Sequence, residues 1–162
     1  MPRLHRSVFV VAILSLCIVA GSSASADGSC YWYSKKDRLL AKKTNAARAN
    51  AGVRKLSLDP QLSRVARRQA RAMARKWALY HTPSLGSLVT RWRTLGENVG
   101  YAGSVKRVHR AFMRSSSHRA NILKSSYRHV GVGVKKKGGR VWTSVVFESR
   151  RDPGTTLTMP SC

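Results

Sequence analysis

Three side chains carry the chemistry that stands out in this chain: His81, Glu97 and His118. Glu97 is one of only two glutamates among 162 residues, and it lies between glycine and asparagine rather than on a charged helical face. Each histidine sits where a helical pattern breaks, His81 before Thr82 and Pro83, His118 before Arg119, Ala120 and Asn121. From such positions an imidazole can turn into a cleft. A carboxylate between two imidazoles can hold a divalent ion such as zinc, or can orient one imidazole as a base. The same residue types also serve as helix caps and surface groups, so type and position leave these roles open. His109, among Lys106, Arg107 and Arg110, and His129, at the start of a strand after Arg128, are assigned no role.

The elements that must position this trio follow from hydrophobic spacing. Residues 37–51 place Leu39, Leu40, Thr44, Ala47 and Ala51 near helical spacing and stop at Gly52. Asp59 and Pro60 supply an N-cap and a first-turn proline to a second helix that runs to about Tyr80. Its Leu62, Val65, Ala66, Gln69, Ala70, Met73 and Trp77 gather on one side, and Arg64, Arg67, Arg68, Arg71 and Arg75 on the other. Residues 88–95 read as a short helix, 97–103 as a turn or short strand, and Ser104 as the cap of a helix carrying Val105, Val108 and Phe112. That helix dissolves at Ser115, Ser116 and Ser117. Residues 127–134 and 141–147 are β-branched and aromatic, joined by Lys135, Lys136, Lys137, Gly138, Gly139 and Arg140, which predicts a hairpin with a basic tip. Helices first and a hairpin last make an α+β fold, with helices packed on an antiparallel sheet.

The charge balance is extreme: 31 lysines and arginines against 6 acidic residues, a net +25, with 43% apolar residues. That much apolar material supports a core and argues against a disordered chain, while the charge favours an anionic partner such as an envelope polymer, a lipid surface or nucleic acid. The arginine stripe and Lys135, Lys136 and Lys137 are therefore candidate anion-binding residues, with a merely solvated face as the alternative reading. At the N-terminus, basic Arg3 and Arg6 precede an apolar run from Val8 to Ala20, and Ala24, Ser25 and Ala26 form a small-residue cleavage site. This predicts a secretory signal peptide over 1–26, too short to span a membrane, and hence a secreted, extracellular protein with no transmembrane segment after processing. Processing removes Cys17 and leaves Cys30 and Cys162, which in an oxidising compartment are expected to form one disulfide. The mature chain then comprises an N-terminal segment over 27–36, a folded domain over 37–148 and a tail over 149–162, most simply as a monomer.

Several motifs occur in one order along the chain: Thr44-Asn45-Ala46-Ala47-Arg48, His81-Thr82-Pro83, Gly96-Glu97-Asn98-Val99, Ser117-His118-Arg119-Ala120-Asn121-Ile122-Leu123, Val130-Gly131-Val132-Gly133, and Trp142-Thr143-Ser144-Val145-Val146-Phe147. Together they resemble the CAP superfamily of cysteine-rich secretory, antigen five and pathogenesis-related proteins, in particular its short bacterial branch. Thr44 stands where that pattern has histidine, and Ser117 where it has glycine. The resemblance implies a three-layer α-β-α sandwich around a cleft lined by two histidines and two acidic residues, able in some members to bind a divalent ion. His81, Glu97 and His118 match three of the four; the second acidic position, shortly after Phe112, falls on Ser115 or a neighbour. The cleft is thus a triad, with His81 and His118 as candidate metal ligands and His81, Glu97 and His118 as the candidate catalytic group.

Three functional classes fit. One is a secreted protein binding an anionic envelope polymer, a lipid or a small ligand. Another is a hydrolase using Glu97 and a histidine on water; no motif positions a serine or cysteine nucleophile. The third is a non-specific polyanion or nucleic-acid binder, which the charge favours although no nucleic-acid motif is present.

Overall fold

The computed structural model describes residues 31–89 and 91–150. The predicted signal peptide, Cys30 and Cys162 lie outside the described residues. The elements are α1 (Lys35–Asn50), β1 (Ser57–Leu58), α2 (Pro60–Lys76), α3 (Leu85–Leu88), β2 (Leu95–Ala102), α4 (Val105–Arg114), α5 (Ser116–Leu123), β3 (His129–Lys137) and β4 (Arg140–Glu148). Among the described residues, four strands form one sheet in the order β1-β3-β4-β2, antiparallel except for the short parallel pairing of β1 with β3.

Helices cover both faces, so the molecule has the expected three layers. Residue parity assigns the layers. Leu40 of α1, Val108 and Phe112 of α4 and Ile122 of α5 share a core with Val130 and Val132 of β3, while α2 packs its Leu62, Val65 and Ala66 on Val146 of β4. Farther along α2, Met73 and Ala74 pack with Val99 and Trp142. Gly131 and Gly133 point at α2, where an added Cβ would collide with the backbone of Leu62 and Ala66; only glycine lets the helix lie this close. Ser63, buried under α2, accepts a hydrogen bond from the Val132 N–H at 3.1 Å and ties helix to strand.

Local chemistry sets the helix ends. Ser34 and Asp37 form a capping box on α1, and the Asp59 carboxylate accepts the Leu62 N–H at 2.9 Å beneath the first-turn proline of α2. Several boundaries differ from those read in the sequence. The second helix stops at Lys76, because Trp77 takes a left-handed conformation with φ 55°. The short helix is α3, ending at Leu88, and residues 95–102 are a full strand. The serine run after α4 starts α5, so His118 stands in a first helical turn. Lys135, Lys136 and Lys137 belong to β3, and the hairpin tip is Gly138 and Gly139, both at positive φ. Strand alternation divides those lysines between the two sheet faces. Lys137, on the α2 side, donates to the Arg75 carbonyl at 3.4 Å, whereas Lys136 joins Leu39 and Val105 on the opposite face.

Candidate functional site: two histidines across an edge strand

Strand β2 is an edge of the sheet, and its residues alternate between the two layers. Glu97 and Val99 face the α2 side; Asn98 faces α5, donating to the His118 carbonyl at 2.9 Å and accepting from Asn121 at 3.0 Å. Asn121 also donates to the Glu97 carbonyl at 3.4 Å. The Gly-Glu-Asn strand and the His-Arg-Ala-Asn helix are thereby locked together. A buried guanidinium secures the other end of α5: Arg48 of α1 donates to the Ile122 carbonyl at 2.7 Å, to Lys124 at 2.9 Å and to Arg54 at 2.7 Å. Asn45 of the same motif bonds both the N–H and the carbonyl of Leu56. These first-motif residues hold the scaffold of the site rather than line it.

Glu97 is buried, and both its oxygens are engaged. Oε2 lies 2.9 Å from His81 Nδ1 and accepts the Thr82 N–H at 2.8 Å; Oε1 accepts the Thr82 hydroxyl at 2.6 Å and the Ser144 hydroxyl at 2.8 Å. Four donors match the acceptor capacity of a carboxylate. In the neutral ring, the contact with the carboxylate places the His81 proton on Nδ1 and leaves Nε2 as an acceptor. The His81 side chain itself is 64% exposed, so the pair reaches the protein surface.

His118 is built differently. Its Nδ1 lies 2.8 Å from the Ser115 hydroxyl, and its ring stacks on Phe112 with centroids 4.9 Å apart. Burial, and then the nearby charge of His81, hold its pKa below the ordinary histidine value. Ser115, at the place where a second acidic residue is expected, therefore contacts the histidine, but as a neutral hydroxyl.

His81, Glu97 and His118 are thus gathered at one edge strand by α2 and α5. Thr82, Ser144 and Ser115 complete the site. Thr82 adjoins His81 in sequence, yet its double bond to Glu97 depends on a turn; Ser144 reaches Glu97 through β2–β4 register, which residue types do not reveal. Among the described residues, no group of three His, Cys, Asp or Glu side chains is arranged to hold a metal ion. The reason is visible at Glu97, whose lone pairs are taken by the chain's own donors, and at Ser115, which supplies no charge. A three-ligand zinc site does not fit this donor set.

The candidate anion-binding residues lie elsewhere. Arg64, Arg67, Arg68, Arg71 and Arg75 line a groove along α2, where Arg67 is half-buried against Asp37 at 2.8 Å rather than solvated. Lys135 adjoins that groove; Lys136 and Lys137 do not line it.

Comparison with known proteins agrees with this geometry. The family model described as "Cysteine-rich secretory protein family" (CAP) matches residues 41–147. The chain is 33% identical over 131 residues to the uncharacterized protein YkwD of Bacillus subtilis strain 168, covering 75% of this chain and 49% of YkwD. It thus spans about half the length of that curated relative. Among solved structures, an extracellular SCP-domain protein of Bacillus anthracis superimposes with a TM-score of 0.64 at 22% identity, covering 71% of this chain and 40% of that one. An outer surface protein of Borrelia burgdorferi gives 0.65 at 19% identity, covering 72% and 95%. The family model, the curated relative and the fold agree: the chain belongs to the CAP superfamily, as a bacterial SCP-like member.

Proposed function

We propose that the protein is an exported CAP-domain binding protein, retained by an anionic envelope polymer or lipid through its basic surface. In this reading the cleft between His81 and His118 holds a small polar ligand. The observation that carries the cleft reading is the saturation of Glu97. A carboxylate already accepting four hydrogen bonds orients His81 and has no lone pair left over for activating water or for a metal. The two imidazoles then offer the ligand Nε2 of His81 and the ring of His118, whose burial disfavours its charged form. Export is supported by the basic and apolar N-terminal run, and by the extracellular and outer-surface descriptions of the bacterial fold neighbours. Among the described residues, no helix is long and apolar enough to cross a membrane.

A hydrolase remains the second reading, favoured by one feature: an imidazole bonded through Nδ1 to a buried carboxylate leaves Nε2 placed as a general base. One comparison separates the two. Wild type and His81→Ala are assayed on peptide and ester substrates, and wild type and His118→Ala are titrated with zinc in a calorimeter. The binding reading expects no turnover that depends on His81 and equal zinc heats. Turnover lost in folded His81→Ala establishes the hydrolase, and a large heat lost in His118→Ala establishes a metal site.

A further inference from the structure

The arginine stripe of α2 is concave. Tyr31 and five arginines, Arg64, Arg67, Arg68, Arg71 and Arg75, line a groove of about 390 Å³. A second groove of about 270 Å³ adjoins it, sharing Arg67 and Arg71 and adding Trp32, Asp37 and Lys135. The chain entering α1 forms the other wall. Arg67 is its fastener, donating to Asp37 at 2.8 Å and to the Trp32 carbonyl at 2.6 Å, with its guanidinium 4.4 Å over the Tyr31 ring. Among the described residues, Asp37 is the single carboxylate lining either groove, and Arg67 neutralises it. The sheet adds Lys135, because Gly131 and Gly133 bring β3 against α2 and the same strand face continues to residue 135. Two basic segments far apart in sequence therefore share one trough.

We propose that this trough seats a linear phosphate polymer, one chain lying along α2. The inference rests on the reading that an anionic partner retains the protein, and adds where and in what shape. Arginine forks match phosphate oxygens in paired hydrogen bonds. Arg64 to Arg75 spans about 16 Å at the helical rise. A strand carrying a charge every ~3.4 Å presents about five phosphates over that length. A recessed trough admits a chain, whereas a flat bilayer meets only its rim.

The test titrates the signal-free chain with inorganic polyphosphate over a range of salt, in three forms. They are wild type, a groove variant (Arg68→Gln, Arg71→Gln, Lys135→Gln) and a charge-matched control with exposed residues of other elements replaced (Lys42→Gln, Lys55→Gln, Arg110→Gln). Arg67 is left intact because it pairs with Asp37. Wild-type affinity should fall with salt at a log-log slope of about −3.5. The groove variant should lose at least about tenfold in affinity and about two units of that slope, while the control stays within about threefold. Phosphatidylglycerol vesicles should bind more weakly at equal phosphate, with equal losses in the two variants. Equal loss of polymer binding in both variants overturns the trough and leaves retention by charge standing. Vesicle binding that is tighter and depends on the groove overturns it in favour of a membrane. No binding to polymer or vesicle overturns both readings.

Discussion

His81 and His118 approach the same edge strand from opposite layers, yet their surroundings have little in common. His81 is 64% exposed and leans on a buried carboxylate that three further donors hold in place. His118 is half-buried, its ring stacked on Phe112 and its Nδ1 beside a serine hydroxyl. The first is prepared to have its proton placed; the second is prepared to stay neutral. Two identical side chains thus sit in unlike surroundings, which a sequence motif naming only "two histidines" conceals.

The largest effect is expected from uncovering the second half. Phe112 is 3% exposed, so Phe112→Ala should cost about 3–5 kcal/mol in denaturant unfolding. It should also let the His118 pKa rise toward the ordinary value, read by ring NMR, because the burial that lowers it is partly removed. Glu97→Gln attacks the other half. An amide offers one oxygen where the carboxylate had two, so a donor from Thr82 or Ser144 meets an NH₂, and a loss of about 1–3 kcal/mol is expected. His81 should then lose its fixed tautomer while His118 keeps its stacking. If Glu97→Gln leaves both stability and the His81 tautomer unchanged, the orienting role is wrong.

A smaller and more specific change makes the halves alike. Ser115→Glu puts a carboxylate beside His118 at the start of α5, a helix end that favours negative charge. The His118 pKa should rise, and zinc should bind measurably where the wild type binds weakly. The smallest effect is in stability against pH. A histidine whose folded pKa lies below its unfolded value, about 6.5, binds fewer protons when folded. Its stabilising contribution is complete above that unfolded value and is lost as pH falls toward the folded one. His109, also lowered by burial and then by Lys43, acts in the same direction. Urea midpoints of wild type should therefore fall between about pH 7 and pH 5, and less so in His118→Gln.

Much of this was legible in the residues. The two faces of α2, its Asp59 cap and first-turn proline, and the closing hairpin follow from periodicity and turn chemistry. The trio His81, Glu97 and His118 follows from motif order. The rest depended on contacts that spacing cannot encode. Glu97 sits on a strand because β2 finds eight partners on β4, though its own glycines read as a turn. The serines after α4 open a helix because Arg48 and Asn98 bind that helix from outside. Lys135 lies beside the arginine groove only because β3 runs on to Lys137. Ser144 escaped notice for the same reason, being a small hydroxyl placed by register.

The inequality of the two histidines is most directly tested by ring-nitrogen NMR of the signal-free protein across pH, in wild type and Glu97→Gln. The account predicts His118 titrating below the ordinary histidine value in both proteins, and His81 carrying its neutral-form proton on Nδ1 only while Glu97 is a carboxylate. His118 titrating at or above the ordinary value, or an unchanged His81 tautomer in Glu97→Gln, would contradict it.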